Sequence, residues 1–243
     1  MDLPLSSAAV PSLIYLGSVD STNLELIRRL GDDLPEFSTV VSGEQTAGLG
    51  RLGRSWVSEP GSCISMSVLL KPTSIELAQQ LTLLAANAVH RALVSITDGG
   101  SFSIKWPNDI LLSGRKVCGI LASLHGDSVI LGIGVNLSKQ SAAPDHATSL
   151  EEFGKFSMDQ VVAEILKNLS SSYQALIGAG NFDSDLDYLR ENCSTIGQRV
   201  RAELPDGSEV IGTAIGISIA GHIIIEGDRR YELAAADVWH LRN

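Results

Sequence analysis

The sequence predicts an α+β fold in which strands and helices mix through residues 1–194 and a small all-β module fills residues 195–243. Three patterns carry that prediction. The stretch from Ser103 to Leu121, SIKWPNDILLSGRKVCGIL, reads as short apolar strands returning through a Ser113-Gly114 turn. Two long amphipathic runs, one after Lys71-Pro72 and one from Ser157, read as helices with capping residues at their starts. From Ile196 the apolar period changes to two, with turn signals at Pro205-Asp206-Gly207, Gly221 and Gly227-Asp228.

At 243 residues, 44% hydrophobic and 19% charged, the chain can bury one large domain with a small appendage or two modest domains, and it is too apolar for extensive disorder. A formal charge of −10 with no basic stripe argues against general binding to nucleic acid. Cys63, Cys118 and Cys193 are dispersed and lack CxxC spacing, so neither a disulfide framework nor a zinc site is indicated, and reduced, partly buried thiols are expected. Asp2 stands where a signal peptide carries basic residues, and Pro11 breaks an apolar stretch too short to span a bilayer; a cytoplasmic protein with no membrane partner is expected.

In chain order, Leu13–Leu16 is a short strand. Thr22-x-x-Glu25 fits a capping box that opens a helix, with Gly31 as its C′ residue. Capping alone explains Ser21, Thr22 and Asn23, yet such a helix start also offers N–H groups and hydroxyls to a polar or anionic ligand. Ser38–Ser42 is a β-branched strand, and the loop GEQTAGLGRLGRSW follows it. Gly48-x-Gly50-x-x-Gly53 matches a dinucleotide fingerprint literally, but no helix follows the glycines, so that reading fails. A turn explains the glycines; Arg51 and Arg54 mounted among them also suit phosphate.

Cys63–Leu70 alternates as a strand, and Thr73-x-x-Glu76 caps a helix whose buried face is Leu77, Leu81, Leu84, Ala85, Ala88 and Val89. His90 at its end is expected on the polar surface. The central stretch sets Lys105, Asp109, Arg115 and Lys116 beside apolar strands. Solvated rims would account for them, but two lysines and an aspartate converge on one sheet. In the strand SVILGIGVN, Gly132 and Gly134 mark close approach by another backbone or a ligand, or plain packing. Lys139–Ala147 reads as a surface loop. A helix from Ser157 buries Val161, Val162, Ile165, Leu166, Leu169, Tyr173 and Leu176, and an acidic helix spans Asp183–Asn192. No nucleophile stands out: Ser113-x-x-Lys116 lies in a turn without companion motifs.

The order KWPND followed by RK-x-x-GIL resembles the central motif of the biotin protein ligases. The loop resembles that family's GRGRxGRxW at Gly48, Gly50, Arg51, Gly53, Arg54 and Trp56, and departs from it at Leu49, where the family has arginine. Ser21-Thr22-Asn23, Gly132-x-Gly134-x-Asn136 and the ending AADVWHLR resemble the family's remaining motifs, so the likeness covers nearly the whole chain. It implies a catalytic domain over residues 1–194 with a mixed, mostly antiparallel sheet and helices, followed by an SH3-like β-barrel over 195–243. It also implies a two-step reaction, in which biotin's carboxylate and ATP form biotinyl-5′-AMP and a lysine of a biotin carboxyl carrier domain then takes the acyl group.

By the same resemblance, Lys116, Arg51, Arg54 and Lys105 serve catalysis. Biotin contacts Ser21, Thr22, Asn23, Gln45, Gly48, Leu49, Gly50, Arg51, Lys116 and Gly119. The nucleotide contacts Arg54, Trp56, Lys105, Asn108, Gly134 and Asn136, with Asp109 and Asn108 as candidate Mg²⁺ ligands. The family contains monomers and dimers, so a monomer or weak homodimer is expected. Too little chain precedes Ser21 for the DNA-binding domain some relatives carry. A lipoate ligase of the same fold and a non-catalytic biotin-binding protein are the rival readings, the latter hinted at by Leu49 alone.

Overall fold

A computed structural model describes residues 1–204 and 206–241. Its first layer is a seven-stranded sheet of β1 (Leu13–Leu16), β2 (Thr39–Ser42), β3 (Cys63–Leu70), β4 (Phe102–Lys105), β5 (Asp109–Leu112), β6 (Arg115–His125) and β7 (Ser128–Asn136). The order is β1-β2-β3-β7-β6-β5-β4, parallel between β1 and β2 and antiparallel elsewhere. Ser113 and Gly114 both take positive φ, 49° and 76°, which lets two residues close the β5–β6 hairpin.

Helices α1 (Pro4–Ala9), α2 (Thr22–Arg28), α3 (Ile75–Thr97), α4 (Met158–Ala179) and α5 (Asp183–Asn192) complete this half. The apolar faces predicted for α3 and α4 are buried throughout. They pack on the side of the sheet that carries Ile64, Met66, Val68, Leu131, Ile133 and Val135. A second five-stranded antiparallel sheet contains β8 (Arg199–Glu203), β9 (Glu209–Ile217), β10 (Ile223–Glu226), β11 (Arg230–Leu233) and β12 (Asp237–His240), ordered β11-β10-β9-β8-β12. Of the sequence signals in this half, Pro205 of the first turn and Arg242 of the closing motif lie outside the described residues.

Several local expectations are corrected. Thr22 and Glu25 form no capping box: the Thr22 N–H donates to Gln45 Oε1 at 2.8 Å, and Glu25 is drawn to Arg28 and Arg29. Gly31 does not terminate α2; a 3₁₀ turn over Leu30–Asp32 follows, and the left-handed residue is Asp33 at φ 51°. Ser74, one residue beyond Thr73, caps α3 by accepting from the Leu77 N–H, whereas Ser157 caps α4 as predicted. Helix α1, unanticipated behind the Pro11 break, is held by Asp159 of α4, which accepts from the Leu5 and Ser6 N–H groups. His90 is buried, its Nδ1 2.8 Å from the Tyr188 hydroxyl, and burial lowers its pKa. The three cysteines are buried rather than partly so, and burial pushes their thiols up.

The opposite face of the main sheet is unequal along its length. Under α2 it carries Val40, Leu69 and Ile130, which form a small apolar cluster with Leu26. Two residues further along β3 and β7 it carries Ser67 and Gly132, and two further Ser65 and Gly134. Apolar side chains therefore fill one face while the other is stripped to serine and glycine beyond α2. A trough results where large residues stop.

Candidate active site

The trough is floored by a continuous cross-strand row, Lys105–Asp109–Gly119–Gly134–Ser65, running through β4, β5, β6, β7 and β3. A cavity of about 290 Å³ opens above it. At its α2 end, Ser67 Oγ donates to Thr22 Oγ1 at 2.7 Å and meets Asn23 Oδ1 at 2.5 Å, while Gln45 Oε1 takes the Thr22 N–H. Asn23 lies over Gly132 so closely that a Cβ there would collide with its amide. The helix start, the Gln45 segment and the sheet are thus stitched into a buried, neutral, polar end of the cavity.

The other end is cationic. Lys116 Nζ lies 2.6 Å from Asp109 Oδ1 and 5.7 Å from the centre of the Trp56 ring. The Trp56 indole rests on Gly134, where a Cβ would come within 2.5 Å of the ring, and its buried Nε1 has no partner. The Gly48–Trp56 loop folds back on itself through Gly50 N–H to Arg54 O at 2.7 Å and Trp56 N–H to Gly48 O at 2.9 Å. Gly48 stands behind the cavity, where a Cβ would sit 2.7 Å from Trp56 O, so this glycine serves the fold-back. Leu49 is half exposed at the rim.

Arg51 Nη1 reaches Asn108 Oδ1 at 3.3 Å and Asp237 Oδ1 at 3.6 Å, and Arg54 pairs directly with Asp237. Burial lowers the pKa of Lys105, with Asp109 pulling it back up, and burial likewise lowers that of Arg51. Arg115, on the same hairpin, turns away to Glu152 at 2.6 Å. Ser21, Gly50, Gly119 and Asn136 also line the cavity, but the Asn136 side chain is spent internally, donating to Thr148 O at 2.9 Å and accepting from Gln140 Nε2 at 3.0 Å.

Sequence reasoning missed Asp237 because nothing in the chain order brings β12 to the loop. The two halves meet at the KWPND segment: Trp106 is buried, its Nε1 donates to Gly221 O at 3.0 Å, and its N–H donates to Thr195 Oγ1 at 3.1 Å. Ser65 and Ser67 were also missed, although two serines alternating with Ile64, Met66 and Val68 are a readable signal of a polar face. For a divalent cation the fit is poor. Asp109 already carries the Lys116 ammonium, Asn108 Oδ1 faces a guanidinium while its Nδ2 donates to Ile120 O, and the described residues contain no cluster of three metal-binding side chains. The chain's own cations supply the positive charge here.

Comparison with known proteins agrees with this architecture. The family model described as biotin/lipoate A/B protein ligase family matches residues 16–138. The biotin–[acetyl-CoA-carboxylase] ligase of Mycobacterium tuberculosis is 34% identical over 95% of this chain and 89% of its own length. The bifunctional ligase/repressor BirA of Bacillus spizizenii is 35% identical over 88% of this chain and 69% of its own. The structure of biotin protein ligase from Aquifex aeolicus in complex with biotin and ATP superposes with a TM-score of 0.84 at 29% identity, covering 96% of this chain and 100% of that one. With the family model matching more than half of its length and close relatives aligned along nearly all of it, this chain belongs to the biotin/lipoate A/B protein ligase family.

Proposed function

We propose that this chain is a biotin–protein ligase that activates biotin with ATP and passes the acyl group to a lysine of a biotin carboxyl carrier domain. The observation that carries the reading is the polarity of one cavity. A neutral pocket built from Ser21, Thr22, Asn23, Gln45 and Ser67 lies at one end, and four cations lie at the other. Biotin needs such a division, because its ureido ring is neutral and polar while its carboxylate must meet a polyanion.

In the first step a biotin carboxylate oxygen bonds to the α-phosphorus of ATP and the bond to the pyrophosphate oxygen breaks. The charge that gathers on the phosphoryl oxygens calls for fixed cations. Lys116, beside Asp109 and above Gly119, is assigned to the reacting carboxylate and α-phosphate; Arg51, Arg54 and Lys105 are assigned to the phosphates. Gly119 and Gly134 let the Lys116 side chain and the Trp56 indole lie directly on the strands, and Trp56 offers an indole face and one uncommitted N–H. Leu49 and Gly50 close the rim over the acyl chain. In the second step a carrier lysine amine attacks the acyl carbon and AMP leaves, so no enzyme nucleophile is required. Mg²⁺ is assigned no protein site of its own.

No helix among the described residues is long and apolar enough to cross a membrane; cytoplasmic work on a carrier is proposed from the ligase reading itself. Residues 195–243 are proposed as a second domain that contributes Asp237 to the loop arginines. A monomer or weak homodimer is proposed as the working form. Biotin-dependent exchange of pyrophosphate into ATP tests the reading: exchange with biotin and none with lipoate supports it, exchange with lipoate alone makes the chain a lipoate ligase, and exchange with neither removes the enzymatic assignment.

A further inference from the structure

The segment 137–149, of which Lys139–Ala147 is read from sequence as a surface loop, is folded against the cationic end of the cavity. Ala143, Pro144, His146 and Ala147 form that wall. Two ladders of contacts hold it. At its far end the Lys116 N–H donates to His146 O and the Thr148 N–H to Lys116 O, each at 2.8 Å, so Ala147 forms an isolated parallel bridge with the lysine. At its near end the chain turns around Gln140, whose side chain is only 4% exposed.

Both the oxygen and the nitrogen of the Gln140 amide are bonded. Its Oε1 accepts from the Glu59 N–H at 2.9 Å and its Nε2 donates to Asn136 Oδ1 at 3.0 Å. Asn136 Nδ2 then donates to Thr148 O at 2.9 Å, closing the loop onto its own far end. The Glu59 carboxylate accepts from the Ser141 hydroxyl at 2.5 Å and the Ala142 N–H at 3.0 Å, fixing the turn from outside. One buried amide therefore ties together the irregular segment between the arginine loop and β3, the end of β7 and both ends of the wall. A surface turn has no need of such a link, since buried amides are costly unless every bond is made.

We propose that Gln140, which lines the cavity with its amide bonded to Glu59 and Asn136, is a positioning residue for the nucleotide half of the site, holding the Ala143–Ala147 wall against Lys116. The inference rests on the ligase reading above. Because the wall stands at the Gly134 and Lys116 end, away from the Thr22 and Asn23 pocket assigned to biotin's ring, loss of the link should act chiefly on ATP and leave biotin's hold on that pocket in place. Gln140→Ala removes both bonds. Gln140→Glu keeps the acceptor for the Glu59 N–H but loses the donor to Asn136 Oδ1, and places two acceptors face to face.

The test measures KM for ATP and for biotin separately, by pyrophosphate exchange on the full chain at a temperature where circular dichroism shows each variant folded. Direct binding of biotin alone, by calorimetry, is measured in parallel. Gln140→Ala should raise KM for ATP about tenfold or more while leaving biotin's KM and Kd within about twofold, with Gln140→Glu affected in the same direction. Asn87→Ala is the control. It breaks another buried amide link, Asn87 Nδ2 to Asp185 O at 2.8 Å, remote from the cavity, and should lower the melting temperature without separating the two substrates. Equal shifts for ATP and biotin in Gln140→Ala, or no shift in either, overturn the proposal. Absence of exchange in the unaltered protein would instead count against the ligase reading.

Discussion

Replacing Lys116 by alanine separates what this lysine does for the fold from what it does for the reaction. Its ammonium meets Asp109 Oδ1 at 2.6 Å, with the two side chains 26% and 16% exposed. That places the pair between exposed ion pairs, which contribute at most about 1 kcal/mol, and buried ones, whose breaking costs about 3–5 kcal/mol. Loss of the ammonium alone should therefore destabilise by about 1–3 kcal/mol, most of it from leaving Asp109 without its countercharge. The chemical loss should be larger, because removing one positioned donor from a developing oxyanion typically costs about 10²–10³ in rate. A double variant, Lys116→Ala with Asp109→Asn, removes the orphaned charge, so thermal stability should return toward the starting value while pyrophosphate exchange stays lost. Unfolding followed by circular dichroism and exchange on the same samples decide the matter. A folded Lys116→Ala protein that retains exchange within about tenfold of the unaltered one would refute the assignment and leave Lys116 as a partner of Asp109 only.

Leu49→Arg places at this rim position the charge that the resembled GRGRxGRxW motif has there. Since the site is half exposed, the new contact should contribute about 1 kcal/mol and slow release of biotinyl-5′-AMP roughly fivefold; unchanged or faster release in a trapping assay would mean that leucine already packs productively there. Asp237→Asn deprives Arg51 and Arg54 of the carboxylate that holds them, so trypsin should cut after these arginines several-fold faster. Equal cleavage rates would show that the loop's own Gly50–Arg54 and Gly48–Trp56 bonds suffice.

The parts of the fold legible in the sequence were those set by local pattern. The α3 and α4 faces, β3, β7 and the Ser113-Gly114 turn follow from period and turn chemistry, which need no knowledge of neighbours. Apart from two local slips, the α3 cap at Ser74 and the left-handed residue at Asp33, what failed depended on a partner distant in sequence. His90 ends on an apolar helix and looks like surface until Tyr188 of α5 covers it. Thr22 looks like a capping residue until Gln45, brought alongside by β2, takes its N–H. Gln140 looks like part of a polar loop until Glu59 and Asn136 close around it. The same rule divides the site. Lys105, Asp109 and Lys116 were visible because one short run of three consecutive strands, β4 to β6, carries all three, whereas Asp237 was invisible because it arrives from the other sheet.

The charge pattern of the site gives that arrival a physical meaning. Arg51, Arg54, Lys105 and Lys116 crowd a partly buried space in which each repels the others; Lys105 shows the cost of burial in its lowered pKa, with Lys116 and Arg54 pushing it the same way. Left alone, side chains on flexible stems would swing outward to water. Two carboxylates oppose this from opposite sides: Asp109 in the floor holds Lys116, and Asp237 in the second sheet holds Arg51 and Arg54. Four cations against two carboxylates still leave an excess of positive charge facing the cavity, in a chain whose formal charge is −10. The carboxylates thus fix the cations in place without neutralising them, which is what a site for a polyphosphate requires. Because one of the two anchors belongs to the second sheet, the geometry of the cationic end depends on both halves of the chain being docked.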